Sequence, residues 1–132
     1  SMVIQLGHQI LSGKAPRLYE DSDKIKRDFI YISDVIKANL CACKPKKNGV
    51  YNIGTGNPRS FQDIADILQV ELETNLGTEY FTNPHKGYQF HTQADISLSI
   101  KNLNFQPKFS LEEGIKAYIP EIHYLYNQND ID

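Results

Sequence analysis

Arg27 stands in Lys26-Arg27-Asp28-Phe29-Ile30-Tyr31-Ile32-Ser33-Asp34-Val35, where a basic pair runs into an apolar stretch and then into an acidic helix start. A guanidinium held at a strand entrance presents a planar fork of donors suited to bidentate contact with phosphate oxygens. The competing reading is a surface arginine paired with Asp28 or Glu20, an interaction worth little in water. Just upstream, Glu20-Asp21-Ser22-Asp23 forms an acidic turn. Such a turn repels phosphate by itself, but it can accept hydrogen bonds from ribose hydroxyls or an adenine amino group while Arg27 holds a diphosphate. Tyr88, which follows Lys86-Gly87, can offer its phenolic O–H to a phosphate or sugar, or serve as a half-buried packing residue.

Other chemistries find less support. Gly54-Thr55-Gly56 follows an expected strand and precedes an expected helix, as a dinucleotide-binding turn would, but Arg59 stands where the third glycine belongs. The loop reads as a tight strand-to-helix turn. His8, His85, His91 and His123 fall in separate elements without metal-ligand spacing, and no Gly-x-Ser-x-Gly elbow occurs. Cys41 and Cys43, two apart on a helix, point about 200° apart around its axis and are poorly placed to pair or share a metal.

The elements that must position these residues follow from hydrophobic spacing. Val3, Ile4, Leu6, Ile10 and Leu11 give an amphipathic helix stopped by Ser12-Gly13, with no cap of its own before Met2, as a cut through a longer protein would leave. Gln5 on this helix reads as an ordinary exposed residue. Phe29 to Ile32 is expected as a strand apolar on both faces, with Ser33 or Asp34 capping a helix over Val35–Cys43. Val50 to Ile53 is expected as a second strand. Ser60 caps a helix from Phe61 to about Leu72, with Asp63 completing a capping box; Phe61 packs in the core or stacks on a base. Glu79-Tyr80-Phe81 reads as a strand, Thr92 to about Lys101 as a short helix, and Ser110-Leu111-Glu112-Glu113 as a capping box opening a final helix that contains Pro120. The expectation is an α/β fold of short strands with about five helices: one unit over residues 1–126 and a frayed tail over 127–132.

Arg27-Asp28-Phe29-Ile30-Tyr31-Ile32-Ser33-Asp34-Val35, Val50-Tyr51-Asn52-Ile53-Gly54-Thr55-Gly56 and Ser60-Phe61 together resemble the later part of the extended short-chain dehydrogenase/reductase nucleotide-sugar epimerases. Leu18-Tyr19-Glu20-Asp21-Ser22, Lys86-Gly87-Tyr88-Gln89-Phe90 and Thr92-Gln93-Ala94-Asp95 narrow the likeness to the ADP-glycero-manno-heptose 6-epimerases. The resemblance spans nearly the whole chain and implies a substrate-binding portion of a Rossmann-type epimerase whose cofactor half is absent. It places Gln5, Tyr19, Glu20, Asp21, Ser22, Arg27 and Tyr88 against an ADP-sugar, with Asp21 where glycine is common. NADP would be held by the absent half, the reaction would exchange C6 epimers for lipopolysaccharide inner-core synthesis, and the oligomer would be a pentamer. Other sugar-nucleotide epimerases or dehydratases, and a stand-alone binding module, are the alternatives. The family's Tyr-x-x-x-Lys catalytic pair does not occur: none of the eight tyrosines has a lysine four residues on.

Composition agrees with a small cytosolic unit. With 132 residues, 40% of them hydrophobic, the chain can bury one core. A formal charge of −2 gives no broad attraction to nucleic acid or membrane, so anion recognition must be local. No apolar run approaches a membrane span, and the first residues lack a secretory layout. Apolar stretches around Ile30 and Ile53, expected to pack on the absent half, should leave a surface that self-association can hide.

Overall fold

The computed structural model describes residues 1–129. Its elements run α1 (Met2–Leu11), β1 (Arg17–Tyr19), β2 (Lys26–Arg27), α2 (Ile32–Ala42), β3 (Arg59–Ser60), α3 (Phe61–Glu71), β4 (Glu79–Phe81), α4 (Ser97–Leu103) and α5 (Leu111–Asn129). Five helices and short strands thus make the expected α/β architecture. The strands form two small pairs. β1 lies parallel to β4, with Leu18 opposite Tyr80 and Tyr19 opposite Phe81. β2 runs antiparallel to β3, with Arg27 opposite Arg59, and Lys26 also bridges to His91.

The main core lies where α1, α3 and α5 meet. Leu6 and Ile10 of α1 pack with Ile64, Ala65 and Leu68 of α3 and Ile115 and Ile122 of α5, the i, i+3, i+4 faces that the hydrophobic spacing marks. Gly7 permits the close approach of α1 to α5, because a Cβ there would come within 2.7 Å of Ile122 Cγ2. A second cluster of Ala38, Leu103 and Phe105 joins α2 to α4. Both expected capping boxes form. Ser60 Oγ accepts from the Asp63 N–H while Asp63 accepts from the Ser60 N–H, and Ser110 and Glu113 exchange the same two bonds at α5. Pro120 sits within α5.

Four expectations are corrected. Phe29 to Ile32 is not a strand: β2 ends at Arg27 and α2 begins at Ile32, with Tyr31 as an extended N-cap that makes no side-chain cap bond. Asp34 does not cap the helix either. It lies one turn in, 2% exposed, and accepts the backbone N–H groups of Lys108 and Phe109 at 2.9 and 3.0 Å. Val50 to Ile53 likewise forms no strand, and Val50 is exposed. A strand is defined by a neighbour's hydrogen bonds, and neither segment meets one among the described residues. The short helix after Thr92 starts later than expected, at Ser97, and ends at left-handed Asn104. Residues 127–129 continue α5, while residues 130–132 of the expected frayed tail lie outside the described residues.

The apolar surface expected around Ile30 and Ile53 is covered instead: both are half-buried and pack with Tyr51 on the second cluster, and the exposed apolar surface lies on α2. Ile32, Ile36 and Leu40, spaced four apart on α2, are all more than half exposed, which makes one stripe along the helix. Ile32 also lines a groove of about 400 Å³ whose walls include Val3, Phe29, Leu111, Ile115 and Tyr118.

Candidate functional site

Arg27 and Asp28 are consecutive on an extended segment and engage different partners, as side chains that alternate across a strand do. The Asp28 carboxylate accepts the Thr55 N–H at 2.7 Å, the Gly56 N–H at 2.8 Å, the Ala94 N–H at 3.0 Å and the Thr55 hydroxyl. Burial alone pushes its carboxyl up, but these bonds favour the anion and hold it below the usual carboxylate range. The Gly-Thr-Gly turn therefore wraps an internal carboxylate. Gly54 must be glycine for this, since a Cβ would stand 2.6 Å from Ala94 Cβ and 2.8 Å from Asp28 Oδ2, and Gly56 has φ +71°.

The Arg27 guanidinium lies over two aromatic rings, 5.5 Å from the Phe61 centroid and 5.4 Å from that of Tyr88, within cation–π range. It donates to the Lys26 carbonyl at 2.9 Å and to the Gln89 carbonyl. No carboxylate of the described residues pairs with it. The surface ion pairs lie elsewhere: Arg17 with Glu79, Lys24 with Asp21, and Arg59 with Asp63 and Glu112. Of the five guanidinium N–H groups, two are engaged and three remain. A planar cation fixed by rings and carbonyls, with donors to spare, is prepared for an oxyanion.

Tyr19 and Tyr88 are edge to face at 5.5 Å, and Tyr19 also packs on Phe81 at 4.9 Å. The structure thus brings Tyr19, Arg27 and Tyr88 together. Glu20 is exposed beside them, its carboxylate 3.5 Å from the Thr82 hydroxyl. Asp21 is exposed and pairs with Lys24 at 3.0 Å. Ser22 is fully buried and its hydroxyl donates to the Tyr19 carbonyl at 2.6 Å, so it shapes the turn. Gln5 is exposed on α1, in a separate element. Phe61 is 4% exposed and belongs to the core, which rules out its stacking role. Sequence reasoning missed Asp28, although an acid beside a Gly-Thr-Gly turn is a recognisable acceptor for its N–H groups. It also missed His85, whose ring neighbours are distant in sequence. Among the described residues no group of three or more His, Cys, Asp or Glu could hold a metal, and no helix is long and apolar enough to cross a membrane.

Residues 1–54 match the NAD dependent epimerase/dehydratase family. The whole arrangement also superposes on the ADP-L-glycero-D-manno-heptose-6-epimerase of Helicobacter pylori with a TM-score of 0.84 and 42% identity, covering 93% of this chain and 38% of that one. Residues 1–54 thus carry a segment of this epimerase family, and nearly the whole chain shares the fold of the corresponding part of the heptose epimerase. The UDP-glucuronic acid 4-epimerase of Bacillus cereus, solved with UDP-glucuronic acid and NAD, matches at 31% identity and TM-score 0.84 over 96% of this chain and 40% of that one. The UDP-glucose 4-epimerase of Thermotoga maritima, solved with UDP-glucose, matches at 27% and 0.83 over 100% and 40%. The five-helix fold is thus part of a Rossmann-like epimerase fold, and the chain spans about two fifths of the length of these relatives.

Asp28 supplies a pH test. Its folded-state pKa is lowered, so its contribution to stability is fully present above the unfolded carboxyl value and is lost as pH falls through the folded value. Asp28→Asn should lower urea stability at pH 7 by about 1–3 kcal/mol, towards the lower end because solvent screens the site. The gap between wild type and variant should narrow as the solution is acidified below 3.8. A gap that is constant with pH would contradict the assignment.

Proposed function

We propose that this chain is the substrate-binding portion of an NADP-dependent ADP-glycero-manno-heptose 6-epimerase. The intact enzyme would oxidise C6 of the sugar and return hydride to the opposite face, acting in the cytoplasm in lipopolysaccharide inner-core precursor synthesis. The observation that carries this reading is Arg27, held between Phe61 and Tyr88 without a carboxylate partner among the described residues and with donors left for a diphosphate. Tyr19 and Glu20 beside it supply an aromatic face and an acceptor for ribose. The 42% identity with the H. pylori heptose epimerase supports the choice of sugar.

The residues of this chain do not fit the nicotinamide cofactor. The N–H groups of Thr55 and Gly56 are taken by Asp28, and no Tyr-x-x-x-Lys pair is present. The chain's own contribution is to fix the diphosphate and orient the sugar, which lowers the entropic cost of reaction. By itself it is expected to bind without turning over.

Titration calorimetry of the chain with ADP-mannose and UDP-glucose tests the reading. ADP-mannose should bind more tightly, and Arg27→Ala should weaken it about 10- to 100-fold, the range for loss of charge-assisted hydrogen bonds. A preference for UDP-glucose would instead favour the 4-epimerases. Unchanged affinity in Arg27→Ala would remove the diphosphate role.

The exposed stripe of Ile32, Ile36 and Leu40, continuous through Ile32 with the apolar groove, gives the isolated chain a face for a second copy. Sedimentation velocity should show concentration-dependent association that Leu40→Glu weakens. A wild-type chain that stays monomeric across the range would refute it.

A further inference from the structure

Phe61 is buried and gives its ring to Arg27, so it cannot receive a nucleobase. Tyr88, whose half-buried ring lies at Arg27, is flanked by the half-buried ring of Tyr19 and the exposed ring of His85. The His85 ring lies near-parallel to that of Tyr88, with centroids 6.2 Å apart and planes 25° apart. It stands edge-on to Tyr19 at 6.5 Å and 79°. The loop holds it there. The His85 N–H donates to Asn83 Oδ1 at 2.9 Å, and Gly87, with φ +72°, turns the chain so that residues 85 and 88 return to the same group of rings.

An exposed imidazole so placed adds nothing to the core, but it extends the aromatic surface beside the phosphate-binding cation. Tyr88 touches both the Arg27 guanidinium and the His85 ring. Sites for a phosphate and for a planar ring therefore adjoin across one tyrosine. A nucleoside diphosphate has the same layout, with diphosphate and base joined through one ribose.

We propose that His85 is a specificity residue of this site and gives an aromatic face to the nucleobase while Arg27 takes the diphosphate. This rests on the reading of the site as one for a nucleotide-sugar. Stacking on a ring tolerates any base. His85 therefore sets preference for a nucleotide over a bare phosphate, and the choice between adenine and uracil falls to hydrogen-bonding groups such as Glu20.

Calorimetry with ADP and with inorganic pyrophosphate separates these contributions. His85→Ala should weaken ADP about tenfold, and His85→Phe should restore most of that loss. Both variants should bind pyrophosphate as wild type does, because an exposed loop ring leaves the core and Arg27 intact. Unchanged ADP affinity in His85→Ala, or parallel loss of ADP and pyrophosphate, overturns the assignment. If Arg27→Ala weakens both ligands while His85→Ala alters neither, only the His85 role falls. If wild type binds neither ligand, the reading of the site falls and the His85 role with it.

Discussion

The Asp28 carboxylate is the constraint on which the site depends. It gathers three N–H groups and a hydroxyl from two loops far apart in sequence, and in doing so fixes the turn at residues 54–56 and the approach of residue 94. These loops lead into α3 and α4, so one charged acceptor sets where two helices begin relative to β2. Partial burial of that charge is offset because every hydrogen bond favours the ionised form. Gly54 follows from the same contact, since a side chain there would crowd the carboxylate and Ala94, whereas Gly56 is required by its left-handed φ of +71°.

Arg27 is the other half of this arrangement. With its neighbouring acid committed to the loops, no carboxylate among the described residues neutralises the guanidinium, which is steadied instead by π-faces and two carbonyls. Rings and carbonyls restrain a cation without cancelling its charge. For the diphosphate proposed as its ligand, such an arrangement would need little reorganisation, and affinity rises when ordering costs have been met in advance.

Helices were the legible part of this sequence, because their evidence is local. The 3.6-residue spacing of Leu6, Ile10, Ile64, Leu68, Ile115 and Ile122, and the boxes at Ser60 and Ser110, lie within single elements. The strands expected at Phe29–Ile32 and Val50–Ile53 failed for the opposite reason. Their apolar character is real, but a strand needs a partner edge; Phe29 instead packs on the main core, and Ile30, Tyr51 and Ile53 pack on the second cluster. The cluster of Tyr19, Arg27 and Tyr88 was legible through family resemblance more than through pattern. Ser22 shows the limit of that route: its position in the loop is right, yet its hydroxyl belongs to the turn's own backbone. Nothing local could have placed Phe61 under Arg27 or His85 beside Tyr88, because those contacts come from packing of distant segments.

Without any ligand, Arg27 is held by rings and carbonyls and is neutralised by no carboxylate among the described residues. Nitrogen-detected NMR of the arginine side chains tests it most directly. The guanidinium of Arg27 should rotate slowly in the unliganded chain, giving resolved Nη signals, and these signals should shift when ADP is added. A guanidinium that averages freely like that of an exposed arginine, with no response to ADP, would mean that Arg27 is neither restrained nor part of a nucleotide site.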